Sequence, residues 1–221
     1  LRFHAGIWPA MLMALDLPLP KVLLVHGFIN VGGAKMSKSL GNGVGPADII
    51  PHYGVEAFRY YFLRHVPTQD DGDFTWEKFE AAYNGELGND LGNLVQRVAK
   101  MVQSYQAGVI GDAPQAEHDM GPYRHSMESF AFNQAMDEIW QIIRSLNQYI
   151  ERVQPWQVAK KRAKDPEAEA HLGEILAYAC GTLLQVSDML RPFMPQTAEK
   201  IHEMFASGVV PSQLTPLFPR K

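Results

Sequence analysis

The residues best equipped for chemistry stand close together at Lys35-Met36-Ser37-Lys38-Ser39. Two lysines in a glycine-flanked loop can close on a triphosphate as mobile point charges. Ser37 and Ser39 add hydroxyl and backbone donors to phosphate oxygens. Where a phosphate group departs, negative charge accumulates on it, and cations placed there stabilise the transition state more than the ground state. Such a loop needs no nucleophile or general base of its own; it works by positioning and electrostatics. Taken alone, the same five residues also describe an ordinary Lys/Ser-rich surface loop.

A second group of residues reads, taken by itself, as structural, although its side chains are of types that RNA recognition can use. Asn93 and Arg97 lie four apart in Leu91-Gly92-Asn93-Leu94-Val95-Gln96-Arg97, so they project from one face of a helix. Asn can hydrogen-bond a base edge, and Arg can bind base or phosphate. Trp156, in Gln154-Pro155-Trp156-Gln157, offers a flat aromatic surface of the kind on which unpaired bases stack. Lys160, Lys161, Arg162 and Lys164 form the densest basic run in the chain, suited to phosphates. Each has a structural alternative. Trp156 could be packed at a helix start, Asn93 and Arg97 could form a solvated face or bond one helix to another, and the basic run could be an exposed helix face. Phe3 and His4, read by themselves, are core residues, and His26 is as compatible with structural duty as with a nucleotide site. Asp70, Asp71 and Asp73 lack the spacing and terminal Glu of a calcium loop and read as structural or solvent-facing.

The elements that must position these groups follow from periodicity. Trp8, Met11, Leu12, Met13 and Leu15 give a helix over about 3–15, closed before Pro18 and Pro20. Residues 21–31 are short and β-branched, which predicts a strand, with Gly32-Gly33 as its turn. Pro46, with Asp48 two residues on, suits the first turn of a helix, and a second helix is expected near 54–65. Residues 70–73 read as a polar loop. From about Thr75 strand-type runs stop, and helices are expected near 75–107, 123–152, 155–163, 167–190 and 195–206. Residues 108–122, with three glycines and two prolines, fit a connecting loop. Long helices on short loops suggest an antiparallel bundle. Three prolines in 211–221 predict an extended end laid along the surface.

Composition sets outer limits. The 221 residues are 46% hydrophobic with a net charge of −4, ample for a core and against a surface that coats nucleic acid throughout, though not against a local basic patch. No apolar run approaches the ~18 residues of a membrane span, so no membrane partner is expected. A single cysteine, Cys180, excludes an internal disulfide and a thiolate zinc site, and fits a reducing compartment such as the cytoplasm.

Lys35 to Ser39 match the KMSKS signature of class I aminoacyl-tRNA synthetases at every position, and the run continues as Leu40-Gly41-Asn42. The stretch Phe3-His4-Ala5-Gly6-Ile7-Trp8-Pro9-Ala10-Met11-Leu12, then Leu17-Pro18-Leu19-Pro20-Lys21 and His26-Gly27-Phe28, resembles the methionyl-tRNA synthetases specifically. The resemblance extends essentially over the whole chain, down to Pro216-Leu217-Phe218-Pro219-Arg220. It implies a mainly α fold in three parts: the end of a Rossmann-type catalytic domain over 1–33, the KMSKS loop with a linking helical region over 34–74, and an α-helical anticodon-binding bundle over 75–221. It implies ATP, with magnesium, as substrate at Lys35, Met36, Ser37, Lys38, Ser39 and His26, with Lys35 and Lys38 catalytic. It further implies methionine against Phe3 and His4, where an aromatic ring beside a thioether sulfur is favourable. Asn93, Arg97 and Trp156 would read the CAU anticodon of tRNA(Met), Trp156 stacking on the cytosine. The HIGH motif and zinc-knuckle cysteines of that family are not in this sequence, so an N-terminal catalytic portion is expected elsewhere, and the chain alone is not expected to activate methionine. The rival readings are a class I synthetase for another amino acid and a stand-alone tRNA-binding module.

Overall fold

Proline opens much of this fold. Pro46, Pro155, Pro166 and Pro195 each stand at the first position of a helix, where a missing N–H costs nothing and the fixed φ already suits the turn. The computed structural model describes residues 2–36, 41–111, 118–163 and 165–221. A π-helical turn Phe3–Ile7 runs into α1 (Trp8–Ala14); β1 (Ile29–Val31) and β2 (Ala34–Lys35) follow, then α2 (Pro46–Tyr53), α3 (Val55–Arg64) and β3 (Gly72–Phe74). The rest is helical: α4 (Trp76–Ala82), a π-helical stretch Tyr83–Gly92, α5 (Asn93–Gln106), α6 (Gly121–Glu128), α7 (Phe132–Val153), α8 (Pro155–Lys161), α9 (Pro166–Leu190) and α10 (Pro195–Phe205). Among the described residues no helix is long and apolar enough to cross a membrane.

Three expectations need correction. Residues 22–28 are not a strand; the strand begins at Ile29, because a β-branched run without a neighbour to complete its ladder gains nothing from extension. Residues 70–73 are not merely a polar loop. Gly72–Phe74 pairs in parallel with β1, giving the sheet order β2-β1-β3. Asp71 accepts from the Phe28 N–H at 2.7 Å and Asp73 from the Gly33 N–H at 2.7 Å, so these carboxylates staple the sheet edge. The helix expected over 123–152 is two helices, broken at 129–131, where Phe130 takes φ 59°.

The bundle is held by faces of helical period. α7 buries Ala135, Met136, Ile139, Trp140, Ile143, Leu146 and Ile150, and α5 buries Leu94, Val95, Val98, Ala99 and Val102. One core runs from Ile49 through the bundle to Val210, and α3 contributes Ala57, Tyr60 and Tyr61 to it. Glu56, buried on α3, accepts from the N–H groups of Gln196 and Thr197 and from the Thr197 hydroxyl, capping the start of α10. One turn on, Arg59 donates to the carbonyls of Pro192 and Phe193 at 2.8 and 2.6 Å. No described residue before Ile49 is buried; the first helix stands outside this core, while the hairpin rests on it through the partly buried Ile29 and Val31. The chain end lies along the bundle as expected, with the Tyr83 hydroxyl donating to the Pro219 carbonyl at 2.8 Å and Phe218 over Gly88 and Gly92.

Candidate functional site

Lys35 is delivered by a two-residue hairpin. Gly32 and Gly33 take φ of 60° and 76°, which only glycine adopts without strain, and register Val31 against Ala34 and Asn30 against Lys35. Lys35 is exposed at the end of β2, its ammonium 4.4 Å from the centre of the Phe28 ring, a position it can leave for a phosphate. Met36 follows, half-buried. Ser37, Lys38 and Ser39 lie outside the described residues.

His4 and His26 share one site. Both line one shallow depression with Leu23, Leu24 and Val25, although they come from different elements. The His26 Nδ1 lies 2.8 Å from the Gly27 carbonyl, which orients the ring. Gly27 is a necessity of packing. A Cβ there would lie 2.1 Å from the Asp70 carbonyl oxygen, and the Gly27 N–H donates to Thr68 at 3.2 Å. Phe3 is 70% exposed and does not line the depression.

The second site lies on α5. Asn93, Gln96, Arg97, Lys100, Ser104 and Tyr105 line one open groove of about 410 Å³, within the usual range of small-ligand pockets. The four-residue spacing therefore did bring Asn93 and Arg97 to one face, and Asn93 is exposed. Asn93 donates to the Asn89 side chain at 3.3 Å. Arg97 is not free: its guanidinium bonds Glu151 and donates to the Asn147 side-chain oxygen at 2.9 Å, both on the last turns of α7. It thus sits against the corner that, through Gln154 in the left-handed region, opens α8 with Pro155 and Trp156. Trp156 is half-buried and packs on the core, so its ring is shared between the bundle and solvent.

The basic run divides. Lys160 and Lys161 are exposed, whereas Arg162 donates to the Tyr105 carbonyl at 2.6 Å and ties α8 to the end of α5; Lys164 is outside the described residues. Arg162 is a clamp first, and the phosphate-binding expectation rests on the two lysines.

One cluster had no signal in the sequence. Arg64, buried on α3, stacks at 4.4 Å on Trp140 and reaches Asp137 at 3.3 Å, while Glu86 accepts from Tyr60 and lies 2.8 Å from His65 Nε2. Burial pushes the Glu86 carboxyl up, but the bonds from His65 and Tyr60 and the Arg64 charge outweigh it and hold it below the usual carboxylate range. These residues come from three separate helical segments, so no local spacing exposes them. Arg64 and Glu86 read individually as ordinary surface charges.

A model of the class I tRNA synthetases (M) matches residues 1–99, and one of the anticodon-binding domain of tRNA ligases matches residues 122–219. Methionine–tRNA ligase of Streptomyces coelicolor is 43% identical over 96% of this chain and 41% of its own length; that of Bacillus subtilis is 40% identical over 91% and 32%. The chain therefore spans about a third to two fifths of the length of these curated relatives. Among solved structures, Mycobacterium tuberculosis methionyl-tRNA synthetase bound by methionyl-adenylate superposes with a TM-score of 0.87 at 30% identity, covering 99% of this chain and 48% of that one. Motif, fold and relatives agree: the chain belongs to the methionyl-tRNA synthetase family of class I.

Proposed function

We propose that this chain supplies the KMSKS loop and the anticodon reader of a methionine–tRNA ligase, which activates methionine with ATP and transfers it to tRNA(Met). The observation that carries the reading is the α5 groove. Asn93 and Arg97 face one opening, and Arg97 is bonded to the end of α7, five residues ahead of the Trp156 that would stack on the cytosine of CAU. Lys35 at the hairpin end, with Lys38, would neutralise the departing pyrophosphate. Met36, Ser37, Ser39 and His26 would line the triphosphate, and Phe3 with His4 the methionine side chain. Magnesium would arrive with the ATP. In this reading the work would be divided as catalytic over 1–33, linking over 34–74, and RNA-reading from 75 on. A cytoplasmic setting suits a chain whose one cysteine is a buried thiol.

The test is made in the full-length enzyme. Arg97→Ala and Trp156→Ala should each lower aminoacylation of tRNA(Met) while leaving methionine-dependent ATP–pyrophosphate exchange intact. Equal losses in both assays would assign these residues to stability and contradict the reading.

A further inference from the structure

Arg97 is useful to a reader of bases only if its guanidinium is aimed, because a free Arg carries a large rotamer entropy that each productive contact must overcome. The device that aims it is Asn147. This side chain is half-buried on α7, and every part of its amide is used. Its Nδ2 donates to the carbonyl of Asp90 at 3.1 Å and to that of Ile143, one turn back on its own helix, at 3.2 Å. Those two bonds fix which edge of the amide faces the groove, and its Oδ1 accepts from Arg97 Nη2 at 2.9 Å. The Glu151 carboxylate, Arg97's other partner, is by contrast 60% exposed and makes a screened surface pair. Asn147 also ties together three elements, since Asp90 lies in the π-helical stretch immediately before Asn93.

We infer that Asn147 is a positioning residue for anticodon recognition: it holds the Arg97 guanidinium across the α5 groove in the orientation that meets the RNA. The inference rests on the reading of Arg97 given above. Asn147 touches no base; it works by reducing what Arg97 must lose on binding. A neutral amide acceptor suits this better than a second carboxylate, because it directs the guanidinium without adding charge where an RNA backbone would approach.

The experiment is a double-mutant cycle on the 221-residue chain, read as affinity for a CAU anticodon stem-loop at fixed salt, with melting temperature followed on every variant. Asn147→Ala should weaken binding about three- to tenfold, the scale of one orienting hydrogen bond. Asn147→Ser should lose as much. A serine hydroxyl can still bond the Ile143 carbonyl one turn back but is too short to reach Arg97, so the helix keeps its local support while the aiming contact goes. In an Arg97→Ala background neither substitution should weaken binding further. A loss that persists undiminished without Arg97, or wild-type affinity in Asn147→Ala and Asn147→Ser while Arg97→Ala is weakened, would overturn this inference alone. Wild-type affinity in Arg97→Ala would remove the anticodon reading of Arg97 and this inference with it.

Discussion

At the scale of single residues, Trp156 shows how two alternatives can both hold. The sequence allows a stacking platform or a packed helix start, and the stacking reading expects a largely exposed ring; the ring is instead half-buried against the core. A side chain that packs on the core and stays partly accessible can serve both duties. Trp156→Ala should therefore weaken CAU stem-loop binding by about 1–3 kcal/mol and also cost folding stability, though less than the ~3–5 kcal/mol of a fully buried tryptophan. Trp140, fully buried under Arg64, supplies that comparison, and Trp140→Ala should lose stability in full without a specific effect on RNA affinity. Melting curves and stem-loop titrations on the two variants separate these outcomes. Lys38 belongs to the chemistry. In the full-length enzyme Lys38→Ala should slow methionyl-adenylate formation by about 10²–10³ with little change in methionine affinity, and a wild-type rate in rapid-quench measurements would remove it. Cys180 is 1% exposed and its thiol is pushed up to about 12 by burial, so it should resist alkylation in the native chain and react on unfolding.

At the scale of elements, the helices were legible because their apolar faces repeat at helical spacing and their starts carry proline or a capping side chain. Thr75 accepts from the Lys78 N–H at 3.2 Å and Asp165 from the Glu167 N–H at 3.0 Å, and these N-caps fix where α4 and α9 begin. The sheet was less legible. Which of residues 21–31 would be strand depends on β3, forty residues away, and no local pattern announces that pairing. Glu56 was likewise hidden, because its value lies in meeting α10 far along the chain. Glu56→Ala would strip the cap from two N–H groups at that helix start and should cost about 1–3 kcal/mol, seen as a lower denaturation midpoint with an unchanged slope. Gly27→Ala should free the edge where β1 approaches Asp70 and Asp71, accelerating hydrogen exchange at the Phe28 and Gly72 amides while those of α7 stay protected. Glu86 gives a pH test. Its native carboxyl titrates below its unfolded value, so its contribution is complete above the ordinary carboxylate pKa of about 4.3 and is lost as pH falls through the lower native value. Glu86→Gln should flatten the acid limb of the stability curve and leave its slope near pH 7 unchanged.

For the whole molecule, the distribution of burial divides the chain unevenly. The bundle and α3 share one core, while the first helix leaves Phe3, Trp8, Met11 and Met13 exposed. The residues read as RNA contacts sit on the well-packed part, which should therefore bind RNA without help; those read as methionine contacts sit on the part without a core of its own. The 221-residue chain alone should accordingly show no methionine-dependent ATP–pyrophosphate exchange. The central claim is that the α5–α8 corner reads CAU. Its most direct test is the affinity of this chain for a tRNA(Met) anticodon stem-loop against the same stem-loop with the cytosine of CAU replaced, measured at one salt concentration, because phosphate contacts are salt-dependent and common to both. The account predicts tighter binding of CAU by at least the ~1–3 kcal/mol of a single base contact, and loss of that preference in Trp156→Ala. Equal affinity for the two stem-loops, with Trp156→Ala behaving as the native chain, would contradict it.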